Sequence, residues 1–188
     1  NSGSSGMNTV NIWRKEEVIK VTIHELFHLF NCDSRIDDPL TLIKEYQKRY
    51  NITSKQINSY EAYTEVWANI INCFLLSDND YKNFVRNLSI EKSWCEFQAQ
   101  KIFYLNKDIK DINKHTNVLA YFIIRCEIYN NFKKFIKLFG KRICCKSDVY
   151  FRFLRNNKIC SKKDVIKKIN KKTFIYKTLR MSALEIKI

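Results

Sequence analysis

The chain is poor in the residues that break helices: one proline and three glycines in 188 residues. So little turn punctuation argues against a many-stranded sandwich or barrel and for long helices. Long apolar runs are missing too. The best, "NVLAYFIIRC", is interrupted by Arg125, well short of the roughly 18 residues that span a bilayer. "NSGSSGMNTV" has no apolar core segment, so a secretory signal is not expected. No CxxC pair occurs, which removes the common structural zinc sites. The seven cysteines are scattered, and Cys144 and Cys145 are adjacent, too close for a relaxed bridge. They read as reduced thiols of an intracellular, non-secreted protein. Histidine is scarce, with three in all.

What is present is apolar bulk and positive charge. Hydrophobic residues make up 45% of the chain and aromatics 14%, enough for a well-buried core. The net charge of +15 is unevenly spread. Residues 1–131 carry as many acids as bases, whereas residues 132–188 hold 18 of the 34 Lys and Arg and three of the 19 Asp and Glu. The spacing predicts a mainly α protein. Residues 1–13 form a flexible loop and a short β edge strand at "VNIW". Residues 14–140 are expected to form the main helical domain, and 141–188 a basic helical extension packed on it. A central helix is predicted from Arg14, one over "LTLIKEYQKRY" and one opened near Ser54. Two long helices follow, the second over "NVLAYFIIRCEIYNNFKKFIKLF" and ended by Gly140. Short helices are predicted after Ser147 and Ser161.

Two of the three histidines lie in "VTIHELFHLF". Positions i and i+4 share a helix face, so His24 and His28 can offer ring nitrogens to one metal ion. Glu25 sits one step round, where a general base belongs, and HExxH is the zinc-peptidase spacing for this arrangement. Zinc lowers the pKa of a bound water to about 7, and the glutamate takes its proton as the water attacks a carbonyl carbon. A third protein ligand is then needed. The HExxHxxGxxH extension would require glycine at 31 and a ligand at 34, where this chain has Asn31 and Ser34. His115 is the remaining histidine and an alternative ligand. Glu61 and Glu65, four apart in "NSYEAYTEVWANI", share a helix face and also compete.

"TEVWA" resembles the third-ligand stretch of gluzincins, such as the "NEGFA" of zinc aminopeptidases. That likeness favours Glu65 as ligand. If Glu61 is the ligand instead, Glu65 takes the place of the acid that orients a histidine. The longer stretch from "SGMNTVNIWRKEEVIKVTIHELFHLFNCD" to "YEAYTEVWANIIN" resembles predicted zinc metallopeptidases encoded by giant and other large nucleocytoplasmic DNA viruses. The matching residues are Arg14, Glu16, Glu17, Lys20, Val21, Ile23, His24, Glu25, His28, Tyr63, Thr64, Glu65, Trp67 and Ala68. The resemblance covers residues 5–75 and departs after His28, where "NCD" stands in place of a glycine-containing turn. It implies a zincin-like helical core, one catalytic Zn2+, a peptide or protein substrate, and a place in host cytoplasm or virion. A zincin usually carries a sheet ahead of this helix, so the resemblance also implies a reduced sheet or a fragment. Tyr60 and Tyr63 are the candidate oxyanion donors. The opposing reading is a non-enzymatic nucleic-acid-binding or virion-interior protein with a degenerate site, its basic residues 132–188 neutralising phosphates.

Overall fold

The computed structural model describes residue 12 and residues 17–34, 37–105, 117–156 and 171–184. The protein is mainly α, and no strand occurs among the described residues. The elements run α1 (Val18–Leu29), α2 (Leu40–Tyr50), α3 (Ser59–Leu75) and α4 (Tyr81–Leu105). A π-helical segment (Leu119–Ile124) then feeds directly into α5 (Arg125–Asn130), followed by α6 (Phe132–Phe139), α7 (Ser147–Arg155) and α8 (Phe174–Lys177). The strand predicted at "VNIW" falls outside the described residues apart from Ile12, as does the helix predicted after Ser161. No described helix is long and apolar enough to cross a membrane.

α3 is the axis of the fold. It packs against α1, α4, α5 and the π segment. Ala62, Tyr63, Val66 and Ala68 are fully buried, and the two alanines let neighbouring helices approach closely. α3 opens at Ser59, later than predicted, because its first turn is capped from another loop. Asp38 accepts the Ser59 amide at 3.0 Å and the Ser59 hydroxyl, supplying the acceptor that the left-handed Asn58 (φ 48°) does not. α7 shares this core: Phe153 and Leu154 are buried in it, and the Tyr150 hydroxyl reaches the Ser59 carbonyl at 2.8 Å.

The long helix predicted over residues 117–139 is three pieces. It passes from the π segment into α5 and breaks at Asn131 (φ −113°, ψ 29°), whose side-chain amide donates to the Glu127 carbonyl at 3.0 Å. The break turns Phe135 and Phe139 onto the aromatic cluster of Tyr63, Trp67 and Tyr150. Gly140 follows α6 with φ −66°, so it is not a left-handed cap. Glycine suits the position for a different reason: a Cβ there would meet the Ile136 carbonyl oxygen at 2.6 Å.

Candidate metal centre

α1 and α3 lie against each other, and each brings a polar stripe of i, i+4 spacing into their shared seam. From α1 come Lys20, His24 and His28; from α3 come Glu61 and Glu65. They interlock as an alternating ladder. Lys20 Nζ donates to Glu65 Oε1 at 2.7 Å. The other oxygen, Oε2, meets His24 Nδ1 at 3.1 Å. His24 Nε2 lies 3.2 Å from Glu61 Oε2, and that oxygen is 3.4 Å from His28 Nε2. His28 Nδ1 meets Asp33 Oδ2 at 2.6 Å, in the turn just past α1. Arg125 closes the deep end, its Nη1 donating to Glu65 Oε1 at 3.0 Å. Lys20, Glu65 and Arg125 are all essentially inaccessible to solvent.

The tautomers follow from these partners. Each Nδ1 faces a carboxylate and so carries the proton. When both rings are neutral, that leaves both Nε2 atoms as acceptors, 3.0 Å apart and facing a third acceptor, Glu61 Oε2. The Tyr121 hydroxyl also donates to Glu61 Oε2; acceptors so placed favour a positive charge among them, a proton or a metal ion. Their separations of 3.0–3.4 Å match the roughly 3.3 Å edge of a tetrahedron with zinc–ligand bonds of about 2.0–2.1 Å. The donor set of two imidazoles and one carboxylate, oriented by outer carboxylates, therefore fits a zinc ion. His24, His28 and Glu61 form the one such group among the described residues, their ligand atoms within 4.8 Å of one another.

The electrostatics agree. Burial disfavours a charged His24, but Glu61 and Glu65 outweigh it and raise its pKa to about 9. Burial likewise opposes ionisation of Glu61, yet the two histidines pull it down to about 2. Glu65, against the same penalty, is held far below the usual carboxylate range by Lys20, His24 and Arg125. His28 is raised, Asp33 and Glu61 overcoming its burial. The seam is thus electrostatically suited to a proton or a metal cation between the two rings and Glu61.

Of the two candidate third ligands, Glu61 and not Glu65 lies within reach of both Nε2 atoms. Both of its oxygens are engaged, one by Lys20 and Arg125 and the other by His24 Nδ1. Glu61, one turn earlier, has the oxygen that faces both Nε2 atoms. Glu25 is half-buried on α1 and has no hydrogen bond or ion pair among the described residues. Tyr60 lies beside the site, its ring 6.0 Å from that of His28. Tyr63 does not: its hydroxyl donates to the Ile143 carbonyl at 2.7 Å, within the aromatic core. His115, Arg14 and Glu16 fall outside the described residues. Asn69 is engaged elsewhere, donating to Glu91 at 3.1 Å.

Three residues at the centre went unassigned in the sequence. Asp33 orients His28. Arg125 anchors Glu65, and its position as the one charge in an apolar run was the signal for it. Tyr121, on the π segment, donates to Glu61 Oε2 at 3.1 Å, with its ring 6.3 Å from that of His24. Single π turns inside helices often mark functional sites, but nothing in the local sequence announces this one. No family model, curated protein or solved structure matches the chain.

Proposed function

We infer that the chain is a zinc-dependent metallopeptidase of the HExxH type, akin to the viral enzymes its first third resembles. His24, His28 and Glu61 hold the ion, and Glu25 is the general base. The observation that supports this best is the convergence of three acceptor atoms whose tautomers are fixed from behind by Glu65 and Asp33. A zinc ion bound there supplies the Lewis acidity that makes water nucleophilic near neutral pH and polarises a peptide carbonyl. Glu25, its carboxylate uncommitted, accepts the proton of the attacking water and returns it to the leaving amine nitrogen. Tyr121 and Tyr60 stand at the rim as hydroxyl donors for the developing oxyanion. Lys20 and Arg125 take no part in the chemistry; they keep Glu65 ionised and His24 in one tautomer. Cys32, Cys73, Cys95, Cys144 and Cys145, which are in no disulfide, support an intracellular setting.

The test is zinc per chain by elemental mass spectrometry, together with a peptide-hydrolysis screen. Near-stoichiometric zinc, lost in His28→Ala, is expected. Glu25→Gln is expected to keep the metal and lose turnover; hydrolysis by that variant would reject the base.

A second reading rests on the surface of α6, α7 and their connection. All eight basic residues between 132 and 156 are exposed, and Asp148 is the single acid there. Such a surface suits a polyanion, and nucleic acid bound there is held by phosphate neutralisation. Its affinity falls steeply between low and moderate salt, and salt-independent binding would sink this reading.

A further inference from the structure

Two thiols that are 112 residues apart in sequence meet beside the metal centre. Cys144 Sγ donates to Cys32 Sγ at 3.7 Å, and neither is in a disulfide. Cys32 lies in the turn after α1, directly before Asp33; Cys144 lies in the connection between α6 and α7 and is exposed. The two segments are pinned together. The Cys145 amide donates to the Cys32 carbonyl at 2.6 Å, the Ser34 hydroxyl to the Cys145 carbonyl at 2.6 Å, and the Tyr63 hydroxyl to the Ile143 carbonyl. With both backbones held and the sulfurs already 3.7 Å apart, much of the entropy of closing this loop is met in the folded state.

We propose that Cys32 and Cys144 are a reversible disulfide site, closed by exchange with a low-molecular-weight disulfide such as oxidised glutathione, and that the bond locks the turn carrying Asp33 against His28. The Cys144 thiolate, met first by solvent, attacks one sulfur of the small disulfide and displaces one thiolate. The Cys32 thiolate then attacks the Cys144 sulfur, forming the Sγ–Sγ bond and releasing the second small thiol. The protein pair loses two electrons and two protons, and one small disulfide becomes two thiols. Burial, with the Cys144 hydrogen bond, holds the Cys32 thiol up at about 11, so the closing step is slow at neutral pH and quickens as pH rises. The effect on the metal rests on the peptidase reading: Asp33 Oδ2 fixes the ring of His28, and a locked turn slows loss of the ion.

The test uses the full chain equilibrated in oxidised and reduced glutathione, alkylated, and mapped by mass spectrometry without reduction. A Cys32–Cys144 linked peptide is expected, reversed by dithiothreitol and absent in Cys144→Ser, which retains the native circular-dichroism spectrum. Glutathione left standing on Cys144, a bridge from Cys32 to Cys145, or Cys32 alkylated throughout would overturn the site. Zinc transfer to a chromogenic chelator is expected to be several-fold slower from the oxidised chain, and equal rates would overturn the coupling to Asp33. A chain that takes up no zinc in either state would sink the peptidase reading, while the peptide map would still decide the bridge.

Discussion

The two α3 carboxylates give the sharpest test, because isosteric substitutions one turn apart have opposite expected effects. Glu65 lies between Lys20 and Arg125, whose side chains are 1% and 0% exposed. Glu65→Gln keeps the shape and removes the charge, leaving two buried cations without a carboxylate. Breaking a buried ion pair from one side costs about 3–5 kcal/mol, a large part of the roughly 5–15 kcal/mol that holds a domain folded. Glu61 is 13% exposed, and its partners are the Tyr121 hydroxyl and two histidines, which can shed their proton when the carboxylate is gone. Glu61→Gln therefore costs less than Glu65→Gln in the metal-free protein, because neutral histidines leave no buried charge stranded, yet removes the proposed ligand. Urea unfolding followed by circular dichroism in excess chelator reads the first quantity. Zinc affinity by chelator competition reads the second. The expected pattern is a large loss of stability in Glu65→Gln, with a melting point lower by on the order of 10 °C, and a clearly smaller loss with zinc binding abolished in Glu61→Gln. Wild-type zinc affinity in Glu61→Gln, or a wild-type urea midpoint in Glu65→Gln, would refute the assignment of ligand and anchor.

Asp33→Ala removes the acceptor behind His28 Nδ1, and loss of such a partner typically weakens metal affinity by about 10–100-fold; chelator competition on the folded variant checks it. Tyr121→Phe frees Glu61 of its hydroxyl donor and removes the nearer oxyanion candidate, so turnover drops while zinc content holds. Tyr63→Phe loses only the bond to Ile143, costs about 1 kcal/mol, and leaves turnover unchanged. Metal-free stability is expected to be greatest between pH 4.5 and 6.5. His24, raised to about 9, stabilises fully below the unfolded value near 6.5, and that contribution fades as pH climbs to 9. Glu61, lowered to about 2, stabilises fully above 4.5 and is lost as pH falls toward 2. Thermal melts across pH in chelator trace both limbs, and zinc affinity rises over the alkaline limb because the ion displaces the His24 proton.

The sequence carried the seam between α1 and α3 but not its rotation. Spacing of four placed His24 with His28 and Glu61 with Glu65, since that rule is local to one helix. Which carboxylate meets the Nε2 atoms depends on how α3 is turned against α1, and that is fixed by distant residues. Arg125, 60 residues past Glu65, holds its Oε1, and Lys20 holds the same atom from α1. Likeness of "TEVWA" to a known motif weighed only the neighbours of Glu65 and could not register a cation arriving from α5. The break at Asn131 was hidden for a related reason: no glycine or proline marks it, and packing of Phe135 and Phe139 on α3 decides it.

The same contrast explains the cysteines. Read along the chain, Cys32 is isolated and Cys144 has only an unusable neighbour in Cys145. Folding sets Cys144 against Cys32 because Tyr63, set aside as an oxyanion donor, spends its hydroxyl on Ile143 and draws that segment over the end of α1. Tyr63 thus helps bring the thiol pair to the flank of the candidate metal centre. Tyr63→Phe should accordingly slow bridge formation between Cys32 and Cys144 while sparing peptide hydrolysis. If it slows hydrolysis and leaves the bridge rate unchanged, the site has been drawn on the wrong side of α3.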